Sequence, residues 1–467
     1  MNNDSMNVSD VATLHRKLDL LLQTGCFLMD CSADTVMIVR NMKRVADHWE
    51  LDERLLNVYI NYNVLMLNYS NNEKSYTKFQ KCVKHGIDMD AVTRVSHLTW
   101  RAIKYNYDVE KYAEELDRIK RMPRHYTPWQ VAIAAGFACG GFCVQFGCDW
   151  PAFFYASLAA ILGFRLRMFL GAKGANSYIS ICTAAFVSTI LAWLSSFISL
   201  SPTLAHALPS CVVSDTPWHP LLACALFIVP GVPLINFVSD MLNGHIQTGL
   251  IRALNTLLMV IAMVFGITFA IDFCGIDNFV HDLSMVPHHN YIEFAIAAAI
   301  SAIGFSTIFN TPRRLLPVIA VGGIIAVCCR NFVNLGPSTG NTGLDQGIVI
   351  GSLVGSTLIS LVCAMATHWF HTPHQCLSIP SVIPMVPGVL MYRALFAFVD
   401  MQGVVGEVTV GMHNFIMASL IILVIAVGVA VPNIFVRRMW QNKRKMRYYN
   451  LLMQRRREQA IKIRTRQ

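Results

Sequence analysis

The sequence predicts an α-helical polytopic membrane protein. It has about ten transmembrane helices as a 5+5 inverted repeat, preceded by an N-terminal soluble α+β domain. Three observations carry this expectation. Hydrophobic residues make up 54% of the 467 positions and charged residues only 14%, with a mean hydropathy of +0.46. Charge is also unevenly spread: residues 1–128 hold 18 Lys/Arg and 17 Asp/Glu, whereas residues 129–436 hold 8 and 10. Finally, an apolar segment broken by proline and glycine occurs twice, once in each half of the membrane region. That is the sequence pointer to a transport site between repeats.

The expected division is a cytoplasmic α+β domain over 1–128, membrane halves over 129–275 and 276–436, and a basic cytoplasmic tail over 437–467. The N-terminus, MNNDSMNVSD, lacks the charged-then-apolar layout of a cleaved signal peptide. Val11–Met29 carries apolar residues at helical spacing (Leu14, Leu18, Leu21, Leu22), and a second helix is expected from near Ser32, with that residue as cap. Asn57–Tyr69 is rich in β-branched and aromatic residues and reads as a strand. Asn71 and Asn72 make its turn, and Ser75–Val83 reads as the partner strand. Helices follow over Ile87–Lys104 and Val109–Arg121. Pro123 and Pro128 then bracket the junction, with Trp129 as an interfacial aromatic.

Ten apolar spans are expected at 131–147, 150–169, 178–200, 218–239, 250–272, 291–310, 315–333, 345–367, 379–399 and 413–436. Arg124, Arg165, Arg167, Lys173, Arg252, Arg313, Arg314 and the tail fall in alternate loops, while the opposite loops carry no Lys or Arg. By the positive-inside rule both termini are then cytoplasmic. Five spans per half is odd, so the halves run in opposite senses across the bilayer. The tail holds 12 basic residues and one acid. A basic run after an apolar span is a cytoplasmic flank attracted to anionic lipid, so no nucleic-acid partner is expected.

The first broken segment is Phe227–Asn255, FIVPGVPLINFVSDMLNGHIQTGLIRALN, and the second is Met385–Arg393, MVPGVLMYR. Prolines remove backbone donors, and groups freed at membrane depth are tolerated only against protein or a watery cavity. Pro230, Gly231 and Asn236 in the first copy, with Pro387, Gly388, Tyr392 and Arg393 in the second, are therefore the candidate substrate-binding residues. An arginine some fifteen residues into a span costs roughly 3 kcal/mol unless it faces a cavity or partner, and Arg393 can hold a substrate carboxylate. Asn236, Ser239, Asp240 and Asn243 recur at helical spacing. Asp240 is the candidate proton-coupling carboxylate, and Arg252 either its partner or a cytoplasmic anchor. A contrary reading makes Asp240 and Asn243 simply the cytoplasmic end of span four.

Other patterns read as structural. Gly343, Gly347, Gly351 and Gly355 recur every fourth residue and allow close helix contact, with Ser352, Ser356 and Ser360 on a neighbouring stripe. His368, His371 and His374 are spaced by three, but Pro373 breaks the helix there, and no metal is expected. The cysteines lie mostly in apolar runs as small packers. Cys148, Cys211 and Cys274 fall near the outer face, and Asp272, Asp277, Asp282 and Glu293 make an acidic outer loop. No phosphate-binding loop, nucleophile elbow or H-E-x-x-H helix is present, so no cofactor and no ATP drive are expected.

Taken together, several stretches resemble the threonine/serine exporter family: LLLQTG with SADT, HGIDMDAVTRVSHLT, Leu116-Asp117-Arg118-Ile119 before Pro123 and Pro128-Trp129, VPGVPLINFVSDMLNG with Thr248-Gly249 and Arg252, and IPMVPGVLMYRAL. The resemblance implies a cytoplasmic N-terminal domain, ten spans, and proton-coupled export of small hydroxy amino acids. Similar proteins occur as two chains and are associated with succinate export, so a dicarboxylate is the alternative substrate. This chain has Cys31-Ser32-Ala33-Asp34-Thr35 where members often have Ser-Gly-Ala-Glu-Thr. The expected partners are a small-molecule substrate, protons and membrane lipid, with a homo-oligomer allowed, in a bacterial inner membrane. An uncoupled channel, and a membrane-anchored sensor or enzyme acting through residues 1–128, stay open as other classes.

Overall fold

The computed structural model describes residues 8–436 apart from 53, 71–73, 83, 210–211, 277–288, 338–339 and 400–407. The basic tail, the Asn71-Asn72 turn, Cys211, Asp277 and Asp282 lie outside the described residues.

The first part of the chain comprises α1 (Val8–Asp30), α2 (Thr35–His48), the strands β1 (Leu56–Ile60), β2 (Val64–Ser70) and β3 (Ser75–Lys81), then α3 (Met89–Tyr105) and α4 (Val109–Lys120). The strands form one antiparallel sheet in the order β1-β2-β3. Two expectations are corrected. The stretch read as a single strand over 57–69 is a hairpin, reversing at Asn61–Asn63 so that Ile60 pairs with Leu65. The helix expected to be capped by Ser32 is instead capped by Asp34, whose side chain accepts from the Met37 amide. Ser32 sits in the left-handed region at φ 61° and directs its hydroxyl to Gly86 O.

From Pro128 the chain is helical and apolar. Its helices are α5 (Pro128–Gln145), α6 (Trp150–Ala172), α7 (Ser177–Leu200), the short α8 (Pro202–Ala207) and α9 (Pro220–Ala223), α10 (Gly231–Leu242), α11 (Ile246–Phe273), α12 (Tyr291–Ile308), α13 (Leu316–Asn334), α14 (Ile348–Phe370), α15 (His374–Val382) and α16 (Gly388–Val399). The last, α17, is Val408–Val436. Seven of these are long and apolar enough to cross a membrane, or up to nine if each bent pair counts as one span. The protein is thus a multi-pass membrane protein. α5, the first of the ten expected spans, is less apolar, with Gln130 and Gln145 near its ends.

Close backbone approach organises these helices. α5 packs against α6 and α12, and a Cβ on Gly141 would lie 2.7 Å from Ala297 O of α12. Half of the expected glycine stripe behaves alike: Cβ atoms on Gly351 and Gly355 would lie 2.5 Å and 2.6 Å from the Arg330 and Ala326 carbonyls of α13, whereas Gly343 and Gly347 precede α14 and a Cβ on Gly347 meets open space. On the other stripe of α14, Ser360 Oγ donates to Val429 O of α17 at 2.8 Å. α14 is therefore wedged between two helices, as its small residues require.

This contact predicts a contrast. Gly141→Leu must displace α12 backbone and should cost at least about 1–3 kcal/mol, read as a drop in thermal unfolding temperature in detergent. Gly171→Leu, where an added side chain meets open space, should leave that temperature unchanged or raise it.

Candidate functional site

Two breaks meet at the centre of the membrane region. In the first, α9 and a 3-10 turn (Leu226–Ile228) lead to Val229-Pro230, after which α10 departs at 56°. In the second, α15 and a 3-10 turn (Ile383–Met385) lead to Val386-Pro387, after which α16 departs at 58°. The local backbones match. Gly231 N–H donates to Val229 O at 2.8 Å, and Gly388 N–H donates to Val386 O at 2.9 Å. Proline forces both breaks, because it has no amide proton to continue a helix.

The breaks enclose a cavity of about 10 Å³, roughly one water molecule in size. It is lined by Leu226, Val229 and Gly231 from the first break and by Ile383, Val386 and Gly388 from the second, with Phe142 and Phe305 alongside. The three residues of one break correspond to the three of the other at a constant offset of 157 positions. Both glycines are required by this meeting: a Cβ on Gly231 would overlap Ile383, and one on Gly388 would lie 2.6 Å from Leu226.

A second cluster forms below the first break, where α10 and α11 meet the α1–α2 turn. Arg252 Nε lies 3.3 Å from Asp240 Oδ2, with both side chains almost wholly buried. The turn closes over this ion pair. Thr35 N–H donates to Asp240 Oδ1 at 3.1 Å, Arg252 donates to Ala33 O at 3.0 Å, and Asn236 Nδ2 donates to Ser32 O at 2.9 Å. Burying two charges is tolerable only when each gains further hydrogen bonds, and backbone groups of residues 32–35 supply them. The hairpin tip adds to the seal, since Thr248 donates to Ile60 O at 2.6 Å and Asn255 donates to Tyr62 OH at 3.1 Å. His85 stacks on Tyr62. Burial, and then the Arg252 charge, lowers the His85 pKa and so favours the neutral ring.

The elements before α5 also contact α12, α15 and the segments that adjoin them. Met89 N–H donates to Phe309 O at 2.9 Å, Asn310 donates to both Asp88 oxygens at 2.9 Å, and Tyr126 donates to Thr311 O at 2.8 Å. His97 bonds His371 O, and Thr93 reaches Cys376. The loops touched are those that carry arginine, or lie between spans on the same side as those that do.

Of the sequence-predicted residues, Pro230, Gly231, Pro387 and Gly388 come together at the cavity. Asn236, Asp240 and Arg252 form the second cluster. Tyr392 is buried and Arg393 half-buried on α16. Arg393 lies within electrostatic reach of His219, and the charges that act on Asp240 are those of Arg252 and Asp34. Arg393 is therefore not brought to the place occupied by Asn236, although the two occupy equivalent positions in the two copies. The histidine triplet diverges: His371 caps α14, and His374 is buried against Ser360 and Ser378. Among the described residues no group of three or more His, Cys, Asp or Glu is placed to hold a metal. Sequence reasoning did not foresee that the 31–35 turn contacts Asn236, Asp240 and Arg252, nor that Arg330 is buried beside Asn331. The signal for Arg330 was an arginine inside an apolar span.

Family models match almost the whole membrane region and most of what precedes it. The threonine/serine exporter model ThrE matches residues 19–274, and "Threonine/Serine exporter, ThrE" matches residues 294–435. The chain belongs to the threonine/serine exporter family. This is a family of membrane transporters rather than enzymes. Over 261 residues the chain is 28% identical to a protein of Escherichia coli (strain K12) named "Probable succinate transporter subunit YjjP", covering 56% of this chain and 96% of that one. The corresponding protein of Klebsiella aerogenes is 27% identical over 55% of this chain and 93% of its own. A "Probable threonine/serine exporter" of Mycobacterium tuberculosis is 20% identical over 84% of this chain and 72% of its own. No solved structure matches the chain.

The ion pair gives a mutational contrast. Arg252→Leu leaves Asp240 buried without its cation and should cost about 3–5 kcal/mol. Asp240→Asn/Arg252→Leu should cost clearly less. Thermal unfolding of both variants, with limited proteolysis near residues 31–35, checks this. Equal losses would mean that the pair is not energetically coupled.

Proposed function

We propose that the chain is a secondary exporter of threonine and serine that works by alternating access between two five-span halves. The observation that supports it best is the central cavity, lined by three pairs of equivalent residues from two matching breaks. A cavity of about 10 Å³ is too small for an amino acid, so transport requires the halves to part. In this reading residues 129–275 and 276–436 are inverted repeats in a bacterial inner membrane. Residues 1–128 are a cytoplasmic domain, 437–467 a basic tail on lipid, and both termini are cytoplasmic. The charge-biased loops and the docking of the soluble elements on that same side support this orientation.

The backbone at Pro230-Gly231 and Pro387-Gly388 contacts the substrate's polar groups, Arg393 takes its carboxylate, and Tyr392 gates or donates a hydrogen bond. Asp240 is the proton-coupled carboxylate and Arg252 its counter-ion. The 31–35 turn is the inner gate, with Asn236 as its latch, and it must lift for substrate to reach the cavity. A dicarboxylate substrate is the second reading, favoured by the succinate-named relatives that match across 96% and 93% of their length.

Vesicles loaded with threonine, serine or succinate test this, with and without an imposed pH gradient. The expected result is gradient-dependent efflux of the hydroxy amino acids, reduced at least tenfold by Arg393→Ala. Gradient-independent efflux would remove the coupling, succinate-selective efflux would replace the substrate, and full activity of Arg393→Ala would remove that residue from the site.

A further inference from the structure

We propose that Arg330 and Asn331 of α13 form a second carboxylate-binding station beside the second break, occupied by the transported substrate before or after Arg393 holds it; this rests on the exporter reading above. Arg330 is 7% exposed and Asn331 2%. Arg330 Nε donates to Asn331 Oδ1 at 3.1 Å. That bond uses the amide's acceptor and fixes its orientation, leaving the NH₂ group to point elsewhere. Asn331 Nδ2 is buried and has no hydrogen-bond partner. What remains is the outer edge of a guanidinium and an amide NH₂, a set of donors with no acceptor.

The contrast with Arg252 is direct. Arg252 has Asp240 at 3.3 Å, whereas among the described residues no carboxylate pairs with Arg330. A buried cation and amide donor without an acceptor are costly. An arriving anion satisfies both. A carboxylate fits the planar fork of arginine in a bidentate way, with the amide reaching one of its oxygens.

The site is next to the route. A Cβ on Gly355 would lie 3.3 Å from Arg330 N and 3.1 Å from Met385 Sδ. The Arg330 backbone and the last residue of the 3-10 turn that leads into Pro387 therefore both border Gly355. The glycines of α14 hold that backbone there, since Gly351 and Gly355 leave no side chain between the two helices. Threonine, serine and succinate each present a carboxylate, so the site recognises a group that both substrate readings share. With Arg393 beyond the same break, a substrate with a second carboxylate would have a second cation available.

Binding to the purified full-length chain tests the proposal, by calorimetry with L-threonine, succinate and threoninol, in which CH₂OH replaces the carboxylate. Wild type should bind at least one of the two carboxylates and not threoninol. Asn331→Asp is nearly isosteric and supplies the missing anion within the chain. It should raise the unfolding temperature and weaken carboxylate binding at least tenfold. Arg330→Gln should weaken binding similarly, and Asn331→Leu by a smaller factor; if Arg330→Gln does not fold, the two Asn331 variants decide. Wild-type binding that persists at unchanged affinity in these variants would overturn the inference while leaving the exporter reading intact. Wild type that binds neither carboxylate would overturn the substrate reading, and the inference with it.

Discussion

The Asp240–Arg252 ion pair, buried between α10, α11 and the 31–35 turn, is the constraint that ties the elements before α5 to the apolar helices. Neither half of the pair is satisfied by its own helix alone. Asp240 needs the Thr35 amide, and Arg252 needs the Ala33 carbonyl. Lifting the turn removes one hydrogen bond from each charge, and docking it restores both. In the proposed mechanism the docked and lifted turns are two discrete states, which suits a gate.

The membrane region depends on a different constraint, the lack of a backbone donor at proline. Val229-Pro230 and Val386-Pro387 interrupt two helices in the same way, and glycine follows each so that the breaks approach one another. The close approach leaves a nearly sealed centre. Polar capacity there resides in backbone groups and, one layer out, in Arg330, Asn331 and Arg393. The molecule thus separates an apolar plug at the centre from charged groups on either side of it.

Much of this was legible in the sequence. Pro230-Gly231 and Pro387-Gly388 announce themselves because broken backbone is rare in an apolar run. Arg252 was offered as a partner for Asp240, and the structure pairs them. The reading of Asp240 as a simple helix end gave too little weight to what lies below α10, which only tertiary docking reveals. The 31–35 turn was invisible as a site because its contribution is mainly backbone, and backbone groups carry no residue signature. The strand over 57–69 failed for a local reason: Asn61–Asn63 reverses a run whose composition is strand-like throughout. Arg330 was counted among the eight basic residues of 129–436 and given no role, although it lies within α13.

The central claim is that the 31–35 turn closes the inner side and must lift for export. A cysteine pair at Ser32 and Asn236, in a background without the other cysteines and with each single variant as control, tests it most directly in the vesicle efflux assay. Oxidation should stop efflux in the double variant alone, and reduction should restore it. Undiminished efflux from fully cross-linked protein would contradict the account.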